Sequence, residues 1–275
     1  MKTFLRGFLT TVMVLVIFLF CMCTYVKQTI NKDIVSQVGR QTLTTEIGNA
    51  IESQIPEISE QKKQEIKDLL NNNEQLNNII NIISERIATD LSKDEIEDIN
   101  INEDMKTFLQ ENKNLLIGEL KDEISEEEID RAIEEAIDET DFNQVYRDSI
   151  KSVQNDMDQD VKTLLDGYNY ITSQTFLTIL IIILVIATGI TFLLQKPHYK
   201  GMVNISIATI VSAVLIVPIA FVVHVIFQSA IEEIDAGIIL NTTPIWLSAG
   251  SLLAIGILFL IINHLIQKKA SKVAE

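Results

Sequence analysis

The stretch FLTILIIILVIATGITFLL, residues 176–194, decides the class of this fold. It contains no Asp, Glu, Lys or Arg, and a helix of this length rises far enough to cross the ~30 Å of hydrocarbon in a bilayer. Residues 8–26, 202–227 and 245–266 read in the same way, each free of charged side chains. The remainder has the opposite character. The 275 residues carry 38 acidic against 22 basic side chains, a formal charge of −16, although 47% of the chain is apolar. Grease and charge are therefore segregated along the sequence. The predicted fold class is an all-α membrane protein, with four transmembrane helices and a large α-helical extracytoplasmic domain between the first and second spans. Such acidity excludes nucleic acid as a partner, because phosphate backbones are bound by basic faces.

Sorting Lys and Arg among the flanks gives an orientation, since positive residues are retained on the cytoplasmic side. Lys2 and Arg6 precede the first span, Lys196 and Lys200 lie between the second and third, and Lys268, Lys269 and Lys272 follow the fourth. Against these stands one acidic residue, Glu275. The opposite flanks hold Glu232, Glu233 and Asp235 without a Lys or Arg, plus residues 27–175 with 34 acidic and 15 basic side chains. Both termini are thus expected inside a plasma membrane and residues 27–175 outside it. The expected layout is an N-terminus and signal-anchor span (1–26), an acidic helical domain (27–175), three further spans (176–266) and a basic tail (267–275). The first span lacks the small-x-small pattern of a cleaved signal peptide. Cys21 and Cys23 lie within it, point about 200° apart on a helix and read as unpaired apolar thiols.

Residues 27–175 contain one proline, Pro56, and four glycines, which leaves little turn chemistry for strands. Val26, Ile30, Ile34 and Val38 recur every four residues, as do Leu43, Ile47, Ile51 and Ile55, so the first span is expected to continue as a stalk to Pro56. Ile129, Ala132, Ile133, Ala136 and Ile137 form an apolar stripe opposite Glu127, Asp130, Glu134, Asp138 and Asp141. A second stalk is expected to lead through Val145, Ile150, Val153, Met157, Val161 and Leu164 into the second span, weakest at Gly167. Ser59, Ser92 and Ser125 are spaced by 33 residues and each precedes an acidic stretch. They are predicted N-caps, whose hydroxyls accept from the unpaired amides of a first helical turn. The spacing raises the possibility of a 33-residue repeat, with independently capped helices as the alternative.

Few residues point to chemistry. Asp98, Asn100, Asn102 and Asp104 alternate as in a calcium loop, but Glu103 stands where the sharp turn needs Gly and Leu109 where a bidentate Glu belongs. A helix boundary capped by Asn102 explains them better. His198, His224 and His264 fall at different predicted depths and suit interfacial anchoring. Glu232, Glu233 and Asp235 would gather cations loosely at an outer loop. Gly250 with Ala254, Ala208 with Ser212, and Ala187 with Thr191 are small pairs four apart, the spacing that lets helices approach closely in lipid. No catalytic, cofactor or metal signature is present among the motifs. The expected partners are the lipid bilayer and other membrane or surface proteins, or a second copy of the chain. The reading is a non-enzymatic scaffold, accessory or sensing subunit, with a small channel or transporter subunit as the alternative. Abundant Ile, Asn, Lys and Glu suit an AT-rich bacterium, and the acidic ectodomain suits a Gram-positive surface.

Overall fold

The computed structural model describes residues 2–37, 39–40, 60–93, 95–97, 99–120, 125, 127, 131, 141–232 and 239–274. In chain order the helices are α1 (Lys2–Gln28), α2 (Glu60–Asn71), α3 (Glu74–Asp90), α4 (Asn102–Leu120), α5 (Phe142–Asp156), α6 (Gln159–Thr172), α7 (Gln174–Leu194), α8 (Gly201–Glu232) and α9 (Thr243–Ala274). A π-helical turn, Thr29–Val35, follows α1. The described residues contain no strand. Two compact units result, one formed by Met1–Thr29 with Tyr168–Glu275 and the other by Ile30–Gly167; they are called the apolar and the acidic unit below.

The apolar unit holds the helices expected from composition. Stretches long and apolar enough to cross a membrane run over Thr3–Val35, Gln174–Leu194, Gly201–Ser229 and Thr243–Lys269. Local chemistry sets several of the ends. Ser173 opens α7 by accepting from the Phe176 N–H, and Asn241 accepts from the Thr243 N–H where α9 begins. Pro218 lies inside α8, which continues through it although the ring removes one backbone donor. Helix α1 packs against α7 and α8, and α8 packs in turn against α9. One apolar core joins Leu9, Met13 and Ile17 of α1 to Ala187 of α7 and to Ile205 and Ala208 of α8. A second joins Tyr25 of α1 to Ile216 and Ala220 of α8 and Ile245 of α9. The α7–α8 turn is tight: a Cβ at Gly201 would lie 2.9 Å from the Phe192 ring and 3.3 Å from its Cα.

The acidic unit is built on an Ile/Leu/Phe core. Leu70 of α2, Leu76, Ile79 and Ile80 of α3, Met105 and Phe108 of α4, and Tyr146 and Ile150 of α5 bury together with Ile99 and Ile101. The intervals of three and four within α3, α4 and α5 place each set on one helix face, which is why short acidic helices can share a core. Asn73 caps α3, accepting from the Gln75 and Leu76 N–H groups. The segment after α1 joins this unit: Ser36 donates to Asn81 Oδ1, and a Cβ at Gly39 would sit 3.7 Å from Ile80.

Several sequence expectations change. The described residues after α1 are helical as far as Arg40; residue 38 and the rest of the expected stalk, residues 41–56, lie outside the described residues. Where spacing by four predicts an apolar face on Ile30 and Ile34, the π-helical turn instead buries Thr29, Asn31 and Asp33. The second stalk does not weaken at Gly167, which sits inside α6. The helix breaks fall at Met157–Asp158 and at Ser173, where Asp158 and Ser173 side chains accept from amides three residues on and restart a helix. The 33-residue spacing does not recur in the described helices, since residues 60–90 hold two helices and the next begins at Asn102.

Candidate functional site

The polar side chains with the most defined geometry lie at helix ends in the acidic unit. Asp90, the last residue of α3, is 1% exposed. A carboxylate at a helix C-terminus faces the negative end of the macrodipole, and burial adds a desolvation cost, so it needs donors. Tyr146 of α5 donates to its Oδ2 at 2.8 Å, and the Arg86 guanidinium lies 3.3 Å from the same oxygen. Burial first, and the Asp90 bond second, push the Tyr146 hydroxyl well above the usual tyrosine range. Gln154 completes the clasp, its amide donating to the carbonyls of Asp90 at 2.9 Å, Leu91 at 3.3 Å and Lys93 at 2.7 Å. These are among the acceptors that a helix C-terminus leaves open. Arg86 also donates to the Glu97 carbonyl at 3.0 Å, and Lys93 pairs with Glu97 at 3.1 Å. The Lys93 hydrogen bond lowers the Glu97 pKa.

A second clasp joins the starts of α4 and α5. Asn102 donates to Asp141 Oδ1 at 2.9 Å and accepts from the Asn143 N–H at 3.0 Å. Asn143 in turn accepts from the Ile101 N–H at 3.1 Å. Asp141 caps α5 through the Gln144 N–H, and its pKa is lowered by the Asn102 hydrogen bond first and by backbone donors next. A third set links α3 to α4: Asn73 donates to Asn112, Asn112 donates to Gln75, and Gln75 donates to Glu111. These groups hold helices together. Asp90 and Tyr146 are nearly closed to solvent, which suits a positioning role rather than contact with a substrate.

The sequence-predicted residues fare unevenly. Ser92 is not an N-cap: α3 ends at Asp90, and the Ser92 hydroxyl donates backwards to the Thr89 carbonyl. No helix starts there because the chain runs on through Ile99 and Ile101, both needed in the core, before α4 begins. Ser59 lies outside the described residues, immediately before α2 at Glu60, and Ser125 is a non-helical residue two places before helical Glu127. Asn102 is the first residue of α4, and its side chain crosses to α5 rather than capping its own helix. Glu232 ends α8, while Glu233 and Asp235 lie outside the described residues.

Among the small residues, Ala187, Thr191, Ala208 and Ser212 are buried. Ser212 also donates across to the Val14 carbonyl of α1 at 3.1 Å. Gly250 and Ala254 are exposed, and a Cβ at Gly250 would meet nothing within 4 Å, so this pair packs against none of the described helices. The close approach on α9 is at Gly256, where a Cβ would lie 2.6 Å from Ile210 and 2.7 Å from Thr209 Oγ1. No second small residue stands four away from Gly256, so spacing offered no signal for it. His224 Nδ1 is buried without a hydrogen-bond partner among the described residues, and His264 is exposed. The described residues contain no group of three His, Cys, Asp or Glu able to hold a metal ion. No protein-family model matches the chain, and no curated protein or solved structure shows significant similarity to it.

Proposed function

We propose that the chain is a non-enzymatic, multi-pass plasma-membrane subunit that scaffolds, assists or senses through protein contacts made by its acidic helical unit. Residues 27–175 then lie outside the membrane and both termini inside. The observation that carries this reading is the pairing of four membrane-length apolar helices with an acidic unit that has its own apolar core and clasped helix ends. Composition favours a Gram-positive bacterial surface. Crosslinking in native membranes followed by purification of the full chain tests the reading: recovery of the chain alone, as a monomer, overturns it. Sidedness is tested separately with Ser149→Cys, an exposed position on α5. An impermeant maleimide should label this variant on intact cells beyond the level of the parent chain, and labelling only after lysis overturns the orientation.

The alternative is a small channel or transporter subunit with Glu232, Glu233 and Asp235 at an acidic outer mouth. It predicts ion flux in proteoliposomes that falls when these three are neutralised. Ser206, Thr209 and Ser212 in α8 each return their hydroxyls to carbonyls of their own helix, which favours the scaffold reading.

A further inference from the structure

One end of the apolar unit gathers cations with no matching anion among the described residues. Arg6 reaches from α1 to the C-terminus of α7, donating through Nη2 to the Leu194 carbonyl at 3.2 Å. Its Nε is buried and has no hydrogen-bond partner among the described residues. Two residues beyond Leu194 comes Lys196, and Lys200 closes the short turn that leads into α8; both side chains are exposed. The turn is well fixed. Gln195 is buried, its N–H donates to the Phe192 carbonyl and the Lys200 N–H to the Pro197 carbonyl, and Gly201 is pressed against Phe192. Residues 1–29 and 168–275 carry only four acidic side chains, Glu232, Glu233, Asp235 and Glu275. Glu232 ends α8 at the far end from this turn, and Glu233, Asp235 and Glu275 lie outside the described residues. A half-buried guanidinium with an unfilled donor is costly unless an acceptor reaches it, and no carboxylate pairs with it among the described residues.

We propose that Arg6, Lys196 and Lys200 form a binding site for the phosphate of an anionic phospholipid. The donor chemistry suits a phosphate oxygen, and the surroundings select a lipid over the free ion. Phe4 and Leu5 on α1 and Leu193 on α7 are large apolar side chains exposed at the same end, where acyl chains would lie against them. The site does not depend on which leaflet the end occupies. It therefore stands or falls separately from the proposed function.

The test is native mass spectrometry of the full chain released from vesicles of equal parts phosphatidylglycerol and phosphatidylcholine. Phosphatidylglycerol should be retained selectively. Lys196→Gln with Lys200→Gln should weaken its retention roughly 25-fold, from the ordinary contribution of a basic side chain at an anionic surface, whereas Lys162→Gln on α6 should leave it unchanged. Arg6→Gln should act in the same direction, and the exposed lysine pair keeps the test valid if that variant folds poorly. Equal retention of both lipids, or unchanged retention in the lysine variant, overturns the site. Displacement of the lipid by excess inorganic phosphate overturns the assignment to lipid.

Discussion

Ser206 and Thr209 on α8 and Thr191 on α7 return their hydroxyls to carbonyls of their own helices, and Ser212 does the same while also donating to the Val14 carbonyl of α1. In the acidic unit, Asn73, Asn102, Tyr146 and Gln154 reach instead to other helices or to the turns beyond them. The difference follows from the surroundings each unit is built for. A lipid-length helix must satisfy its polar groups before it meets a neighbour, because hydrocarbon supplies no donors or acceptors. Helices of 12–19 residues such as α2 to α5 are marginal alone in water and are stabilised by one another. Their contacts are therefore cooperative, with a shared core and bonds across helix ends. The apolar unit relies on steric fit, with Ala208 and Ala220 fully buried and Gly256 against Ile210.

The largest expected effect is on the shared core. Phe108 is 1% exposed and among the largest fully buried side chains, and Phe108→Ala should cost about 3–5 kcal/mol. Amide exchange in the full chain should then lose protection across α3 and α4 while α1 and α8 keep theirs. Equal loss in both units would erase the contrast. Gly256→Val tests the apolar unit. Its side chain must displace Ile210 and Thr209, at about 1–3 kcal/mol, read as a lower midpoint of detergent-induced unfolding with no change in exchange over α3.

Tyr146→Phe removes a donor from buried Asp90 and should cost about 1–3 kcal/mol, measured by amide exchange over α3 and α5. Tyr146 also carries a pH signature. Its folded pKa is raised, so its contribution is complete below the unfolded value near ~10 and is lost as pH rises above it toward the folded value. The alkaline loss of α3 protection should be shallower in Tyr146→Phe than in the parent. The smallest effect is expected for Gly250→Ala. The site is open and helical, so the change should stabilise α9 by less than about 1 kcal/mol. A marked destabilisation would mean that this face meets another helix after all.

The four helices long and apolar enough to cross a membrane were legible in the sequence, because a charge-free run of about 20 residues is long enough to decide the matter locally. Ala187, Thr191, Ala208 and Ser212 are buried, and small residues four apart share a helix face. The breaks at Met157 and Ser173 were not legible, because Gly167 is the weaker position by propensity, whereas capping by Asp158 and Ser173 decides where helices restart. Ser92 had the composition of a cap but lies just past a helix end. The Asp90–Tyr146 and Ile101–Asn143 bonds join residues 56 and 42 positions apart, and no local pattern encodes such a pairing.

Charge sorting and hydropathy along the chain were enough to separate an acidic helical segment from four apolar spans, because both properties are summed over contiguous residues. Which glycine lets α8 and α9 approach, which carboxylate is buried at the end of α3, and which arginine is drawn to the end of α7 were settled by folding. Each depends on distances between residues far apart in the chain, and those distances exist only once the helices have packed.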